Sequence, residues 1–171
     1  MEAVECGAAA LGIVMAYYGR VVPLEKLRQD CGVSRDGSKA SNVNKAARRY
    51  GMEAKGYKKE LDGLLKMKMP LIIFWNFNHF LVLEGVKHGR AYLNDPASGP
   101  RSVTMEEFDD SFTGVVIELR PGAEFKTGGV KRGMLPALLP RLRHSELALG
   151  FVLLTGLFLV LPGLVVPTLV Q

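Results

Sequence analysis

The stretch from Leu147 to Val170 contains no charged residue, and this feature restricts the possible structures of the chain most strongly. Built as an α-helix, a stretch of this length crosses the roughly 30 Å hydrocarbon core of a membrane. A buried core helix is the alternative, but the glycines and prolines of the stretch would weaken such a helix and are tolerated in a membrane helix. The sequence therefore predicts a transmembrane helix over residues 147–171, as the start of the membrane domain of a longer protein.

A basic linker rich in glycine and proline is predicted before that helix, over residues 126–146. Its basic residues include Lys126, Lys131, Arg132, Arg141 and Arg143. By the positive-inside rule, these residues place the preceding part of the chain on the cytoplasmic side of the membrane. Membrane lipid is therefore an expected partner.

Basic residues are scattered over the rest of the chain, whose net charge is +5. Scattered charges are typical of a solvated surface, whereas nucleic-acid binding requires a clustered basic patch. We therefore expect no nucleic-acid partner.

Residues 1–125 change from a helical to a strand-like pattern. Three helices come first, from 6 to 18, from 23 to 32 and from 38 to 50, and glycines mark their ends. The strand-like runs that follow are 52–58, 70–77, 79–87, 90–96 and 114–122. A helix is predicted over 104–112, with Thr104 and Glu107 at the spacing of a capping box. Helices followed by an antiparallel sheet give an α+β domain.

Cys6 lies at the start of the first predicted helix. The free backbone N–H groups and the dipole at a helix start favour a thiolate over a thiol, which is what a nucleophile requires. A free cysteine is also often a small buried hydrophobic residue. The partners of Cys6 therefore decide between the two interpretations.

His79 begins a strand, whereas His88 and His144 lie in a turn and in the linker. A lone histidine in such a place can be structural unless a carboxylate accompanies it. Asp95 ends the next strand, and the tight turn around His88 joins the two strands into a hairpin, so His79 and Asp95 are predicted to be neighbours. The carboxylate would then orient the imidazole, although capping the turn before Pro96 is an alternative role.

A cysteine at a helix start, followed by a histidine and an aspartate on adjacent strands, is the order found in papain-like cysteine peptidases. The motifs "ECGAAAL", "AYYGR", "CGVSRDGSKASN", "FNHFLVLEG" and "YLNDPASGPR" are more specific. With them, residues 1–125 resemble the N-terminal peptidase domain of bacterial ABC transporters that remove double-glycine leaders from bacteriocin and related peptide precursors during export. The predicted fold is thus papain-like, followed by a linker and one transmembrane helix.

The resemblance implies a cysteine endopeptidase. In it, Cys6 attacks the carbonyl after the second glycine of the leader, His79 transfers the proton, and Asp95 orients His79. Trp75 and Phe77, which precede His79, are candidates for the wall of a slot that accepts the two glycines, with a place in the core as the alternative for both.

The resemblance also implies partners and a location. The expected partners are the precursor peptide, the membrane and nucleotide-binding domains of the transporter, and a second copy in a homodimer. The expected location is the inner (cytoplasmic) membrane, with the peptidase domain on the cytoplasmic side. No cofactor is expected for these residues, because they contain no G-x-x-x-x-G-K-[ST] loop for ATP.

One position of the family pattern has no counterpart. The family carries a glutamine six residues before the cysteine, and this position falls before Met1. Its side-chain amide helps to stabilise the oxyanion, and such a donor contributes about 10²- to 10³-fold to the rate. We therefore expect either a lost or trimmed start or a weakened enzyme.

Cys31 is the second cysteine of the chain. A disulfide with Cys6 and a metal site are alternatives, but no further Cys or His lies at the spacing of zinc ligands. A buried structural thiol and no metal are expected.

Two other functions stay open at this point. The domain could bind a cargo peptide for export without cleaving it, or the chain could be a fragment with no independent role. The presence of Cys6 argues against the first of these, and the unmatched glutamine position argues for it.

Overall fold

The computed structural model describes residues 5–33, 39–130 and 145–169, with side chains as far as Val160 in the last range. The chain divides into two compact units, Met1–Gly129 and Val130–Gln171. The first unit extends past the predicted boundary at 125 because Val21 donates a backbone hydrogen bond to Gly128. Residues 131–144 of the predicted linker (126–146), with most of its basic residues, lie outside the described residues.

Three helices open the first unit: α1 (Cys6–Tyr17), α2 (Leu24–Asp30) and α3 (Ala40–Arg49). They confirm the predicted helical first half within the described residues. Helix α1 is apolar on every side and is buried along most of its length, as expected for a central helix. A Cβ atom at Gly12 would lie 2.9 Å from Leu27 Cδ1, so the glycine allows α2 to pack closely against α1.

A six-stranded sheet forms the rest of this unit, with every pair of neighbouring strands antiparallel. The strands are β1 (Met52–Lys58), β2 (Leu71–Trp75), β3 (His79–Lys87), β4 (Arg90–Asp95), β5 (Gly99–Thr104) and β6 (Phe112–Pro121). Their order in the sheet is β1-β6-β2-β3-β4-β5. The α+β class predicted from the sequence is confirmed.

The sheet has a hydrophobic cluster on each face, because successive residues of a strand point to opposite sides. On one face, residues such as Ile72, Val82 and Ile117 pack with α1 and α3. On the other face, alternate residues such as Ile73 and Leu81 form a second cluster. This second cluster is covered by the short helices α4 (Leu61–Leu65) and α5 (Met105–Ser111).

Two elements were not predicted from the sequence, namely α4 and β5. Helix α4 is too short to show a helical period. Strand β5 includes a proline, and its apolar and polar residues alternate only weakly. The predicted cap of α5 is confirmed, since Thr104 Oγ1 accepts a hydrogen bond from the N–H of Glu107.

The second unit contains helix α6 (Glu146–Leu169). Among the described residues, which for side chains end at Val160 in this helix, no helix is both long and apolar enough to cross a membrane. The transmembrane helix predicted over 147–171 extends beyond Val160 and stays a prediction.

Candidate active site

Cys6 is the first residue of α1, the helix that packs against β3 of the sheet. Its side chain is largely buried, and its Sγ accepts a hydrogen bond from the backbone N–H of Phe80 at 3.3 Å. Phe80 follows His79 in β3, so this bond connects the helix start to the strand that carries the imidazole. The predicted position of Cys6 at a helix start is confirmed.

His79 and Asp95 are brought together by the β3–β4 hairpin. Lys87 pairs with Arg90 beside the turn, so the first residue of β3 comes to lie near the last residue of β4. His79 Nε2 is 2.7 Å from Asp95 Oδ1, a hydrogen-bond distance. The predicted proximity of the two residues is confirmed.

Asp95 is held by more than the imidazole. Its Oδ1 also accepts a hydrogen bond from the backbone N–H of Ala97 at 2.8 Å, and its Oδ2 accepts one from the hydroxyl of Ser98 at 2.9 Å. Arg101 of β5 lies 3.8 Å from Oδ2. The carboxylate therefore caps the turn before β5 and contacts His79 at the same time, and its role in orienting the imidazole stays a prediction.

The electrostatics of the three side chains favour an ion pair between sulfur and imidazole. Burial raises the pKa of Cys6, but hydrogen bonds with His79 and Phe80 and the charge of His79 outweigh it, and the net effect is a lowered pKa. The hydrogen bond with Cys6 is the largest cause that raises the pKa of His79, against the effect of burial. Both shifts stabilise a thiolate beside an imidazolium.

The carboxylate stays ionised in this environment. Burial raises the pKa of Asp95, but hydrogen bonds from Ala97, His79 and Ser98 more than compensate, so the pKa is lowered. Since Nε2 of His79 faces the carboxylate, Nδ1 is the ring nitrogen left to exchange a proton with Cys6. The arrangement can therefore activate a thiol and carry its proton.

The two aromatic candidates for the substrate slot have opposite environments. Trp75 is only 4% exposed, and its ring packs 5.5 Å from that of Phe108. The prediction that Trp75 walls a slot is not supported, because the pleat of β2 turns its side chain into the core with Ile73. Phe77 is 80% exposed with φ of 57°, so its place beside a substrate stays a prediction.

Cys31 is fully buried, and both cysteines are free thiols. Burial, with a smaller effect of the Asp30 charge, raises the pKa of Cys31 to about 11. The alternative of a disulfide with Cys6 is therefore wrong, and the expected buried thiol is confirmed.

The sequence did not identify two groups that complete the arrangement, the backbone N–H of Phe80 and the hydroxyl of Ser98. A backbone donor leaves no trace in residue identity. Ser98 could have been found, because a serine three residues after an aspartate in a Pro-containing turn is placed to donate to its side chain.

The fold and the site define a class, the cysteine peptidases with a helix-start cysteine and a sheet-borne histidine. The chain belongs to the peptidase C39 family, whose model matches residues 1–124.

Curated relatives include transporters from Escherichia coli. The chain is 39% identical to the colicin V secretion/processing ATP-binding protein CvaB over 74% of its own length and 18% of the relative. It is 40% identical to the probable microcin-H47 secretion/processing ATP-binding protein MchF over 72% of its length and 18% of the relative. The chain thus spans about a fifth of the length of these relatives.

Solved structures confirm the fold. A double-glycine-motif protease from an AMS/PCAT transporter, crystallised in complex with the leader peptide, is 61% identical with a TM-score of 0.69, over 71% of this chain and 87% of that chain. The peptidase domain of Streptococcus ComA is 24% identical with a TM-score of 0.66, over 71% of this chain and 94% of that chain, and supports the fold alone.

Proposed function

We propose that residues 5–129 cleave double-glycine leader peptides from bacteriocin or other ribosomal peptide precursors, and that this cleavage is coupled to export by an ABC transporter. The single observation that carries the proposal is the contact of Cys6, His79 and Asp95 at one end of the sheet. The 61% identity to a double-glycine protease crystallised with a leader peptide supports the choice of substrate.

The first half of the reaction follows from the ion pair. The Cys6 thiolate attacks the carbonyl carbon of the second glycine and forms a tetrahedral oxyanion. The imidazolium of His79 then donates its Nδ1 proton to the leaving amine, and the C–N bond breaks to give a thioester. Asp95 keeps the imidazole ring in the orientation that points Nδ1 toward the sulfur.

The second half releases the leader. Neutral His79 removes a proton from water, the resulting hydroxide attacks the thioester carbonyl, and Cys6 leaves as a thiolate. The proton remains on His79, so the ion pair is restored. The contribution of the glutamine that the resemblance implies before the cysteine stays a prediction.

A direct assay tests the proposed function. The protein is incubated with a synthetic precursor whose leader ends in two glycines, and the products are identified by mass spectrometry. One cut after the second glycine is expected, and a precursor with Ala-Ala at these positions should remain intact. Binding without cleavage would favour the alternative of a cargo-binding domain, and neither binding nor cleavage would favour a fragment without an independent role.

We further propose the partners and the location of the full-length protein. The names of the relatives describe ATP-binding proteins for secretion and processing, which supports a membrane domain and nucleotide-binding domains as partners. A homodimer, contact with lipid, and a peptidase domain on the cytoplasmic side of the inner membrane belong to the same proposal.

Replacing Asp95 by asparagine should lower kcat/KM about 10²-fold or more, because an amide can present the wrong group to His79 Nε2 and no longer stabilises the imidazolium. Steady-state cleavage of the Gly-Gly precursor measures the effect. Asp109→Asn on α5 is the matched control and should cleave at the normal rate. Normal cleavage by Asp95→Asn would contradict the assigned role of Asp95.

Cys6 should be alkylated at a lower pH than an ordinary thiol, because its pKa is lowered by His79 and Phe80. The rate of reaction with iodoacetamide is followed against pH, and modified residues are located by mass spectrometry. The same protein unfolded in urea is the control. In it, the pH midpoint for alkylation of Cys6 should be that of an ordinary thiol. Equal midpoints in the folded and unfolded protein would contradict the ion pair.

A further inference from the structure

Glu5 precedes the nucleophile in the chain and is only 8% exposed. Among the residues whose burial the structure describes, Glu5 and Asp95 are the two buried charged residues. Asp95 belongs to the site already described, whereas nothing in the proposed reaction uses Glu5. A buried carboxylate beside a reactive thiolate therefore needs an explanation of its own.

The Glu5 side chain does not cap its own helix. Glu5 occupies the N-cap position of α1, yet its side chain makes no capping hydrogen bond. Its Oε1 instead lies 3.0 Å from Arg28 Nε of α2, in an ion pair. The carboxylate is thus held by a neighbouring helix. It does not accept hydrogen bonds from the backbone N–H groups at the start of α1.

A free Glu5 carboxylate would act against Cys6 in two ways. It would repel the thiolate, since like charges close together in a partly buried site disfavour ionisation. It would also be free to accept hydrogen bonds from the N–H groups at the start of α1, which otherwise stabilise an anion at Cys6. The charge that lowers the pKa of Cys6 comes from the sheet, where His79 pairs with Asp95.

We propose that Arg28 is a positioning residue that holds the Glu5 carboxylate in an ion pair and thereby leaves the start of α1 to the Cys6 thiolate. Arg28 touches neither the thiol nor the peptide in this role and acts through Glu5. The inference rests on the proposed function, because it concerns the reactivity of the same nucleophile.

The chain supplies a matched control on the same arginine. Arg28 also contacts Glu25 at 3.3 Å, and the Glu25 side chain is 71% exposed. Glu25→Gln removes this surface partner and leaves the pair with Glu5. A surface ion pair of this kind contributes little to stability. The Glu25→Gln protein should therefore have the alkylation rate and the kcat/KM of the unchanged protein.

The test is a double-mutant cycle on Glu5 and Arg28, with two measurements. The first is the rate constant for alkylation of Cys6 by iodoacetamide at pH 7, assigned to Cys6 by mass spectrometry. The second is kcat/KM for the Gly-Gly precursor. Circular dichroism shows the folded fraction, so both values are expressed per folded molecule.

Arg28→Met should slow alkylation about five- to tenfold, because an unpaired carboxylate on the residue next to Cys6 lowers the thiolate fraction. Glu5→Gln/Arg28→Met should restore alkylation to within about twofold of the unchanged protein. An Arg28→Met protein that reacts normally overturns the proposal. A double variant that stays as slow as Arg28→Met also overturns it, since Arg28 would then act through something other than Glu5.

Two further points keep the test decisive. If Arg28→Met does not fold, Arg28→Gln takes its place, because glutamine keeps a hydrogen-bond donor without the charge, and the same outcomes apply. The alkylation rate does not depend on cleavage. The single variant could slow alkylation and the double variant restore it in a protein that does not cleave the precursor. That result would refute the proposed function and support the role of Arg28.

Discussion

Replacing Cys6 by alanine is expected to abolish cleavage of a double-glycine precursor and to leave the domain folded. No other side chain at the site can form the thioester, so the rate should fall at least about 10⁴-fold, to the uncatalysed background. The fold should survive because alanine fits a space already occupied by a small side chain, and the loss of stability should be about 1 kcal/mol. Mass spectrometry of the products and thermal unfolding measure the two effects.

Cys31→Ala is the matched control for this variant. Cys31 is fully buried and its pKa is raised to about 11, so it does not supply a thiolate near neutral pH. The control should therefore cleave at the normal rate per folded molecule, although the cavity left in the core lowers its stability. Cleavage by Cys6→Ala, or its loss in a folded Cys31→Ala protein, would contradict the assignment of the nucleophile.

Replacing His79 by alanine should lower kcat/KM about 10³- to 10⁴-fold, because one ring performs two functions. It raises the thiolate fraction of Cys6 through a hydrogen bond and its charge, and it donates the proton to the leaving amine. The loss of the first function can be observed separately, since the pH midpoint for alkylation of Cys6 should move toward that of an ordinary thiol.

His88→Asn is the control for the histidine prediction. His88 lies in the turn between β3 and β4 with φ of 51°, a backbone conformation that asparagine tolerates well. This variant should cleave normally and keep the alkylation midpoint of the unchanged protein. A His79→Ala protein with an unchanged midpoint would show that His79 does not stabilise the thiolate.

Local sequence patterns predicted most elements of the first unit. The run 52–58 corresponds to β1, in which buried and exposed residues largely alternate. The run 79–87 corresponds to β3, which begins with a continuous apolar stretch and ends at turn residues. The hairpin between β3 and β4 was also predictable, since a histidine and a glycine between two strands specify a tight turn. From that turn followed the proximity of His79 and Asp95.

Other features depended on contacts between residues that are distant in sequence. Trp75 and Phe77 look alike as aromatic residues before a histidine, but one faces the core and the other the solvent. The pairing of β2 with β6 places Trp75 opposite Phe112 and fixes this difference. Strand β5 was missed for the same reason, because it is a strand through its pairing with β4 rather than through its own pattern.

By itself, the sequence determined the chemistry that is available and the local order in which it occurs: a thiol at a helix start, and an imidazole and a carboxylate at the open end of one hairpin. These features are local, since turns, caps and side-chain periods act over a few residues. Only the tertiary structure decided that the helix start meets the hairpin, with the Phe80 N–H on the Cys6 sulfur. It also placed Arg28 on Glu5, because helix packing sets which ends of α1 and α2 come together.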